Sequence, residues 1–317
     1  MEHMGTQHNA LWPRVEALLK CAHELATSAE DSTTEAPPAS LRGEVDLNSL
    51  SRERLEAFLH ERGVAAPPGY SLGDLVTLAK QAKFFMKKPT AAKPLPASPS
   101  CGFTLAKRPS SISGAGEGVF IQGKASRGTV VAFYPGCVYA ESDLPLVYPH
   151  IYTDNDYLAF RSDKMLIDAS SKGSSRQAFL AAWSRDHPRQ QPPSGDKIDF
   201  AEVFANSYAV GHLVNHPPAD RRPNVVSLPF DFLAADLDAH DHLRRHIPNV
   251  YFLPRRHEGD AGADGVVMSG MVIVAADDLE DGAELLMDYH YGMRGADVPS
   301  WYRPAAGLPV HPSVASE

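Results

Sequence analysis

Apolar side chains recur at three- and four-residue spacing mainly within the first hundred residues. Leu11, Val15, Leu18, Leu19, Ala22 and Leu25 line one side of a helix predicted near residues 11–29. Residues 30–41 are rich in Ser, Thr, Glu and Pro and read as a linker. Leu55, Phe58 and Leu59 form a second stripe within Ser49–Gly63, with Gly63 suited to close that helix. Leu72, Leu75, Leu78, Ala79 and Ala82 form a third within Ser71–Phe85. The turn Ala65-Ala-Pro-Pro-Gly69 joins these two stripes into a helical hairpin. Residues 89–100 form a semi-extended Pro/Ala/Ser linker.

Beyond residue 100 the pattern changes to short β segments punctuated by Gly, Pro or Asp. Strands are predicted at Gly118–Gln122, Thr129–Tyr134, Met165–Asp168, Val225–Leu228, Val266–Val274 and Glu284–Tyr291. Helical period returns only around Leu233–His246, and no internal repeat is visible. Many short strands with long irregular connections imply a β-rich α+β fold, not a parallel α/β sheet. The division that follows is an N-terminal helix and linker (1–45), a helical hairpin (46–88), a linker (89–102), a main domain (103–302) and a flexible tail (303–317).

Composition narrows the class. The 317 residues are 43% hydrophobic and 22% charged, as in an ordinary globular protein, which excludes collagen-like, coiled-coil and wholly disordered chains. The 26 prolines agree with a loop-rich domain. A net charge of −9 argues against a phosphate-binding surface spread over the whole molecule. Cys21, Cys101 and Cys137 are too few and too scattered for a disulfide framework or a four-thiolate zinc site, so a reducing, intracellular compartment is expected, nucleus or cytoplasm. The longest apolar runs, such as Met271–Ala276, fall far short of the ~20 residues a membrane span needs. The N-terminus lacks the basic and apolar regions of a signal peptide, so none is expected.

Three clusters carry candidate chemistry. In Ser113-Gly-Ala-Gly-Glu-Gly-Val-Phe120, three alternate glycines allow close backbone approach to a ligand. A strand follows where a dinucleotide fingerprint requires a helix, so alone this is a glycine turn. In Gly211-His-Leu-Val-Asn-His216, followed by Pro223-Asn-Val225, two polar residues close an apolar stretch; alone they read as a turn cap. In Asp281–Gly292 a turn leads into Glu284-Leu-Leu-Met-Asp-Tyr289, and Tyr289 and Tyr291 project to the same side of an extended segment, as paired core aromatics also do.

The ordered combination resembles a SET domain, the fold of S-adenosyl-L-methionine-dependent protein-lysine methyltransferases. The resemblance covers roughly residues 110–293, includes Thr129–Gly136, and extends toward Pro299-Ser-Trp-Tyr302. It implies a β-clip with a pseudoknot behind a helical N-terminal region. Ala115–Gly118, Gly211–His216 and Tyr289-His-Tyr291 resemble the stand-alone mono-methylating type, in which no zinc cluster follows. By that resemblance Gly114, Ala115, Gly116, Glu117 and Gly118 hold the methionine and ribose part of the cofactor. His212, Asn215 and His216 hold its ammonium and adenine, and Trp301 packs on the adenine. Tyr289 stands beside the transferring methyl, while Tyr134 and Tyr291 line the channel for the target lysine. No metal is implied. The chain departs from the usual pattern in two places: six residues, Pro217–Arg222, separate His216 from Pro223-Asn224 with no Cys among them, and no Cys-rich segment follows Gly292.

The function these residues imply is methyl transfer to a lysine ε-amine of a histone or non-histone protein, so the expected partner is a protein or peptide with an accessible lysine. The alternative is a weak or inactive SET module acting as a protein-interaction or nucleic-acid-associated adaptor. The hairpin within 46–88 resembles a SAP or helix-extension-helix module and is the candidate for weak nucleic-acid contact, with Lys80, Lys83, Lys87, Lys88 and Lys93 as its basic edge. A solvated helix face is the plainer reading. His240, His242 and His246 lie close enough in sequence to suggest a metal site, but a solvated helix face is preferred, since a structural site needs four ligands and no Cys is near.

Overall fold

A computed structural model of the chain describes residues 2–31, 51, 52, 54–56, 71–73, 75, 76, 100–153, 155–254, 265–289 and 302. The chain divides into two compact units, Met1–Thr27 with Ser98–Glu317 and Ser28–Ala97. The larger unit contains three small sheets. Strands β1 (Phe103–Pro109) and β2 (Glu117–Gly123) pair antiparallel across the glycine-rich turn. Strands β3 (Val130–Phe133), β7 (Val225–Leu233) and β9 (Val266–Ala275) form the second sheet, with β9 in the middle. The third runs in the order β5 (Leu158–Phe160), β6 (Leu166–Asp168), β4 (Gly136–Tyr139), β8 (Asn249–Tyr251), with β4 and β8 parallel.

These elements follow from local physics. The last seven residues of β9 are buried without alternation because β3 and β7 flank the strand and both of its faces are covered. Gly136 opens β4 at φ +129°, where a side chain would collide with the Asp168 backbone of β6. Arg161, between β5 and β6, is 1% exposed. Its guanidinium pairs with Asp163 and Asp231 at 2.8 Å each and donates to the Phe230 and Gly270 carbonyls, tying the third sheet to the second.

The N-terminal stripe is helical as expected, within a longer helix α1 (Glu2–Asp31). Leu11, Val15, Leu18, Leu19, Cys21 and Ala22 are buried in the same core as Val130, Phe230 and Ile273 of the second sheet. Trp12 stacks on Phe230 at 6.4 Å, and His8 Nε2 lies 2.7 Å from the Asp236 carboxylate. In the smaller unit Leu55 N–H donates to Ser51 O and Leu75 N–H to Ser71 O, so a helical turn begins at each predicted start. Leu55 and Leu75 are buried, whereas Leu72 is 47% exposed and does not belong to the inner stripe. The rest of the predicted hairpin and the 303–317 tail lie outside the described residues.

The predicted strands at 118–122, 129–134, 165–168, 225–228 and 266–274 all form within a few residues of their expected bounds. Residues 284–287 are extended but make isolated bridges instead of a continuous ladder. Helical period near 233–246 becomes one α turn, Ala234–Leu237, and a 3₁₀ segment, Asp238–His246, kinked at His240. Helix α2 (Gly173–Asp186) was not expected; it buries only Ser175, Phe179, Ala182 and Trp183, too sparse a stripe to stand out. Among the described residues no helix is long and apolar enough to cross a membrane.

Candidate active site

The extended segment Glu284–Asp288 organises the site. On one edge, Leu285 N–H donates to Val119 O at 2.8 Å and Ile121 N–H to Ala283 O at 2.9 Å, joining the segment to β2. Further along, Met287 N–H donates to Asn215 O at 2.9 Å while Leu286 O accepts from Val225 N–H at 3.1 Å. That N–H and C=O belong to one planar peptide unit and point in opposite directions. Residues 215 and 225 therefore flank opposite edges of the segment, and the chain from 216 to 223 must cross it. The SET-domain resemblance implies a pseudoknot, and a chain crossing lies at that place. Asn224 locks it: its amide donates to Glu284 O and its side-chain oxygen accepts from Leu286 N–H, both at 2.8 Å.

The carboxylate of Glu284 is 4% exposed and sits under the glycine turn. Burial would raise its pKa, but donors from Ser110, from the Ser111 hydroxyl and amide, and from Asn215 hold it below the usual carboxylate range. A side chain at Gly118 would collide with this carboxylate, which is why glycine is required there. Gly114 (φ +81°) and Gly116 (φ +72°) have left-handed backbones, and a side chain at either would meet open space among the described residues. Asn215 Nδ2 donates to Glu117 O at 2.9 Å, so this amide braces the glycine turn against the crossing. Arg221, from the lengthened 217–222 loop, donates to Ser111 Oγ at 2.7 Å and adds a contact the sequence did not signal.

His216, Asp288, Tyr289 and Tyr302 form the next layer. Tyr289 N–H donates to His216 Nδ1 at 3.4 Å, and its hydroxyl donates to Val214 O at 3.0 Å. Tyr302 is buried, donates to Asp288 Oδ1 at 2.9 Å and places its ring 4.7 Å from that of His216. The chain beyond 292 thus returns to the site at residue 302. Trp301, its neighbour, and Tyr291 lie outside the described residues. The His212 ring faces Phe200 at 5.2 Å, Tyr157 at 6.1 Å and Tyr134 at 6.5 Å, and its Nδ1 is buried without a hydrogen-bond partner among the described residues. Desolvation, then the Lys107 charge, push its pKa down to about 3, so the ring is neutral. Tyr134 is buried, and its carbonyl accepts from Asn249 Nδ2.

Sequence reasoning missed Glu284, Ser110, Ser111, Arg221, Asn224, Asp288 and Tyr302 as site residues. The available signal was a lone carboxylate, Glu284, heading the apolar run Leu285-Leu-Met287. The 240–246 histidines serve a different end: His240 pairs with Glu16 at 2.9 Å, and His242 and His246 pack against His23 of α1. Among the described residues no group of three or more His, Cys, Asp or Glu is placed to hold a metal ion.

Comparison with known proteins adds an independent line. No family model matches the chain. Two curated proteins, both called SET domain-containing protein 9, from Pongo abelii and Homo sapiens, are each 30% identical over 190 residues, or 60% of this chain. The chain resembles SET domain-containing protein 9. It spans 64% and 58% of the length of these two relatives, under two thirds of either. A solved structure of a candidate histone methyltransferase from Plasmodium falciparum is 13% identical, covering 60% of this chain and 96% of its own, with a TM-score of 0.28. That overlay is too loose to bear on fold or chemistry. The likeness to SET domain-containing protein 9 agrees with the motifs at Gly114–Gly118, Asn215-His216 and Glu284–Tyr289.

Proposed function

We propose that the chain is an S-adenosylmethionine-dependent protein-lysine N-methyltransferase, with residues 103–302 as the catalytic domain and a histone or non-histone protein as substrate. The observation that carries this reading is the convergence of the glycine turn, the Asn215-His216 pair and the Glu284–Tyr289 segment through one threaded crossing. The residues suit the cofactor. Two left-handed glycines border open space beside a buried, ionised carboxylate that fixes their loop. When bound, the cofactor supplies an electrophilic methyl on a sulfonium.

The chain supplies the rest. Gly114–Gly118 and the backbone around Asn215-His216 bind and orient. Tyr289 commits its proton to Val214 O, which leaves its phenol oxygen as an acceptor for weak C–H···O contacts of about 0.5–1 kcal/mol each. The acceptor lysine, with an ordinary pKa of ~10.4, must be neutral to react. By the resemblance Tyr134 and Tyr291 are assigned to the lysine channel, and an aromatic lining of that kind disfavours the ammonium form. Alignment is the larger gain, since well-oriented reactants reach effective molarities of ~10⁵–10⁸ M. Two phenols in those roles would order a water in the place of a second methyl, so the monomethyl product is expected.

Purified protein with isotope-labelled cofactor, assayed on histones, peptide arrays and whole lysate, is expected to transfer label. Tyr289→Phe should cut transfer at least tenfold, and intact mass should show the monomethyl product. Absence of transfer to every substrate class would overturn the proposal. The second reading, a non-catalytic module, draws on Asn215 and Glu284, whose polar atoms are already engaged by Glu117 O and by Ser110 and Ser111. Calorimetric binding of S-adenosylhomocysteine with no turnover on any substrate would favour it. Nucleic-acid contact through 49–88 belongs to that reading and requires an affinity that falls steeply with salt.

A further inference from the structure

We propose that Cys21 and Cys101 form an oxidisable dithiol, a modification site at which a hydroperoxide joins α1 to the chain entering β1 through a disulfide. Both residues lie in the larger unit. Cys21 is fully buried on the core face of α1; Cys101 is partly exposed, two residues before β1. Cys101 N–H donates to Cys21 Sγ at 3.1 Å, which brings the two cysteines together. Ser100 Oγ lies 3.2 Å from Cys21 Sγ, so adjacent residues 100 and 101 both grip the same sulfur. Tyr208 fixes the other thiol. Its hydroxyl proton goes to Phe103 O at 2.9 Å, and its oxygen lies 3.1 Å from Cys101 Sγ. Cysteines 80 residues apart in sequence are thus held side by side by three neighbouring groups, the Cys101 amide, Ser100 and Tyr208.

The roles of the two sulfurs differ. The hydrogen bond with Cys21 draws the Cys101 thiol down to about 6, while that same bond and burial push Cys21 well above the ordinary thiol range. Cys101 is also the partly exposed member, so its thiolate meets the oxidant first. Its sulfur attacks one peroxide oxygen and breaks the O–O bond; the departing hydroxide takes a proton and leaves as water, and Cys101 becomes a sulfenic acid. Cys21 sulfur then attacks the Cys101 sulfur, an S–S bond forms, the S–OH bond breaks, and the Cys21 proton leaves with the hydroxyl as a second water. Two thiols lose two electrons and one peroxide is reduced to two waters. Cys137 provides an internal control: it is fully buried in the other core, and burial pushes its thiol up.

The test uses the full chain with hydrogen peroxide, alkylation of remaining thiols, and non-reducing peptide mapping. A Cys21–Cys101 cross-linked peptide with loss of two hydrogens is expected, monomeric on a non-reducing gel and reversed by dithiothreitol. It should persist in Cys137→Ser and vanish in Cys101→Ser. In Cys21→Ala, which keeps the buried site apolar, Cys101 should stop at the sulfenic acid and be captured by a cyclic diketone probe. Oxidation raises the melting temperature of wild type and leaves Cys101→Ser unchanged. Sulfinic or sulfonic acid on Cys101 with Cys21 still reduced in wild type would overturn the proposal, as would oxidation of Cys137 ahead of the pair.

Discussion

Glu284 concentrates several demands on one side chain. It is a buried carboxylate that accepts from Ser110, Ser111 and Asn215, so the charge itself organises the glycine turn. Glu284→Gln keeps the shape but removes the charge-assisted bonds, and a loss of about 1.5–3 kcal/mol by chemical denaturation is expected. Calorimetry should also show weaker S-adenosylhomocysteine binding, because the turn loosens. His212 governs a second residue-level outcome. Its folded pKa of about 3 lies below the ~6.5 of the unfolded chain, so stability is full above pH ~6.5 and falls as pH descends toward 3. His246, lowered first by burial and then by Arg245 and His23, acts in the same direction. Thermal melts from pH 7 to 4 should show a decline that His212→Leu reduces; an unchanged slope in that variant would refute the assignment. At this scale Tyr289 and Asn215 were legible because they stand in ordered motifs. Tyr302 and Arg221 were not, since their contacts depend on where a loop and a tail return, which local spacing does not encode.

Among the elements, α1 and the 284–288 segment illustrate opposite kinds of legibility. A thirty-residue helix with a 3.6-period stripe announces itself, and Leu11, Val15, Leu18, Leu19 and Ala22 occupy the buried face that the spacing assigns. A stripe reveals that a face is covered but not by what. Here the cover is the second sheet, with Trp12 and His8 stacked on Phe230 of β7. Leu19→Ala should therefore cost about 2–5 kcal/mol, the range for a fully buried leucine, and a global shift in the urea midpoint is the expected reading. Local fraying of α1 alone, with the β unit's transition unmoved, would contradict the shared core. Strands β4, β5 and β8, of three or four residues each, were not anticipated. The 284–288 segment was read as a strand with reason, since its residues are extended and apolar. Its bonds go instead to β2, Asn215 and Asn224–Val225 in turn, an arrangement fixed by the crossing chain and not by the segment.

For the molecule as a whole, the partner that α1 packs against is the least legible feature. Proline- and serine-rich stretches at 30–41 and 89–100 mark boundaries by composition alone, whereas the division into Met1–Thr27 with Ser98–Glu317 and Ser28–Ala97 depends on α1 packing back onto strands eighty and more residues downstream. Cys21 and Cys101, both in the larger unit, lie in contact. From Cys21 to Thr27 the helix rises about 9 Å, and Ser98 lies within about 10 Å of Cys101 along an extended chain. About ten Gly/Ser residues, which reach up to ~33 Å, thus suffice to replace residues 28–97. Loop-closure entropy favours the shorter connection slightly, so the shortened chain should unfold in one cooperative transition at or above the wild-type midpoint. Its affinity for S-adenosylhomocysteine should stay within twofold of wild type, because every residue of the 110–118, 211–225 and 284–302 segments is retained. Removing residues 1–27 instead uncovers the apolar face beneath α1 and should give exposed-hydrophobic dye binding with no sharp transition. Equal melting of the two deletions would mean that α1 is an appendage, and the shared core would have to be abandoned.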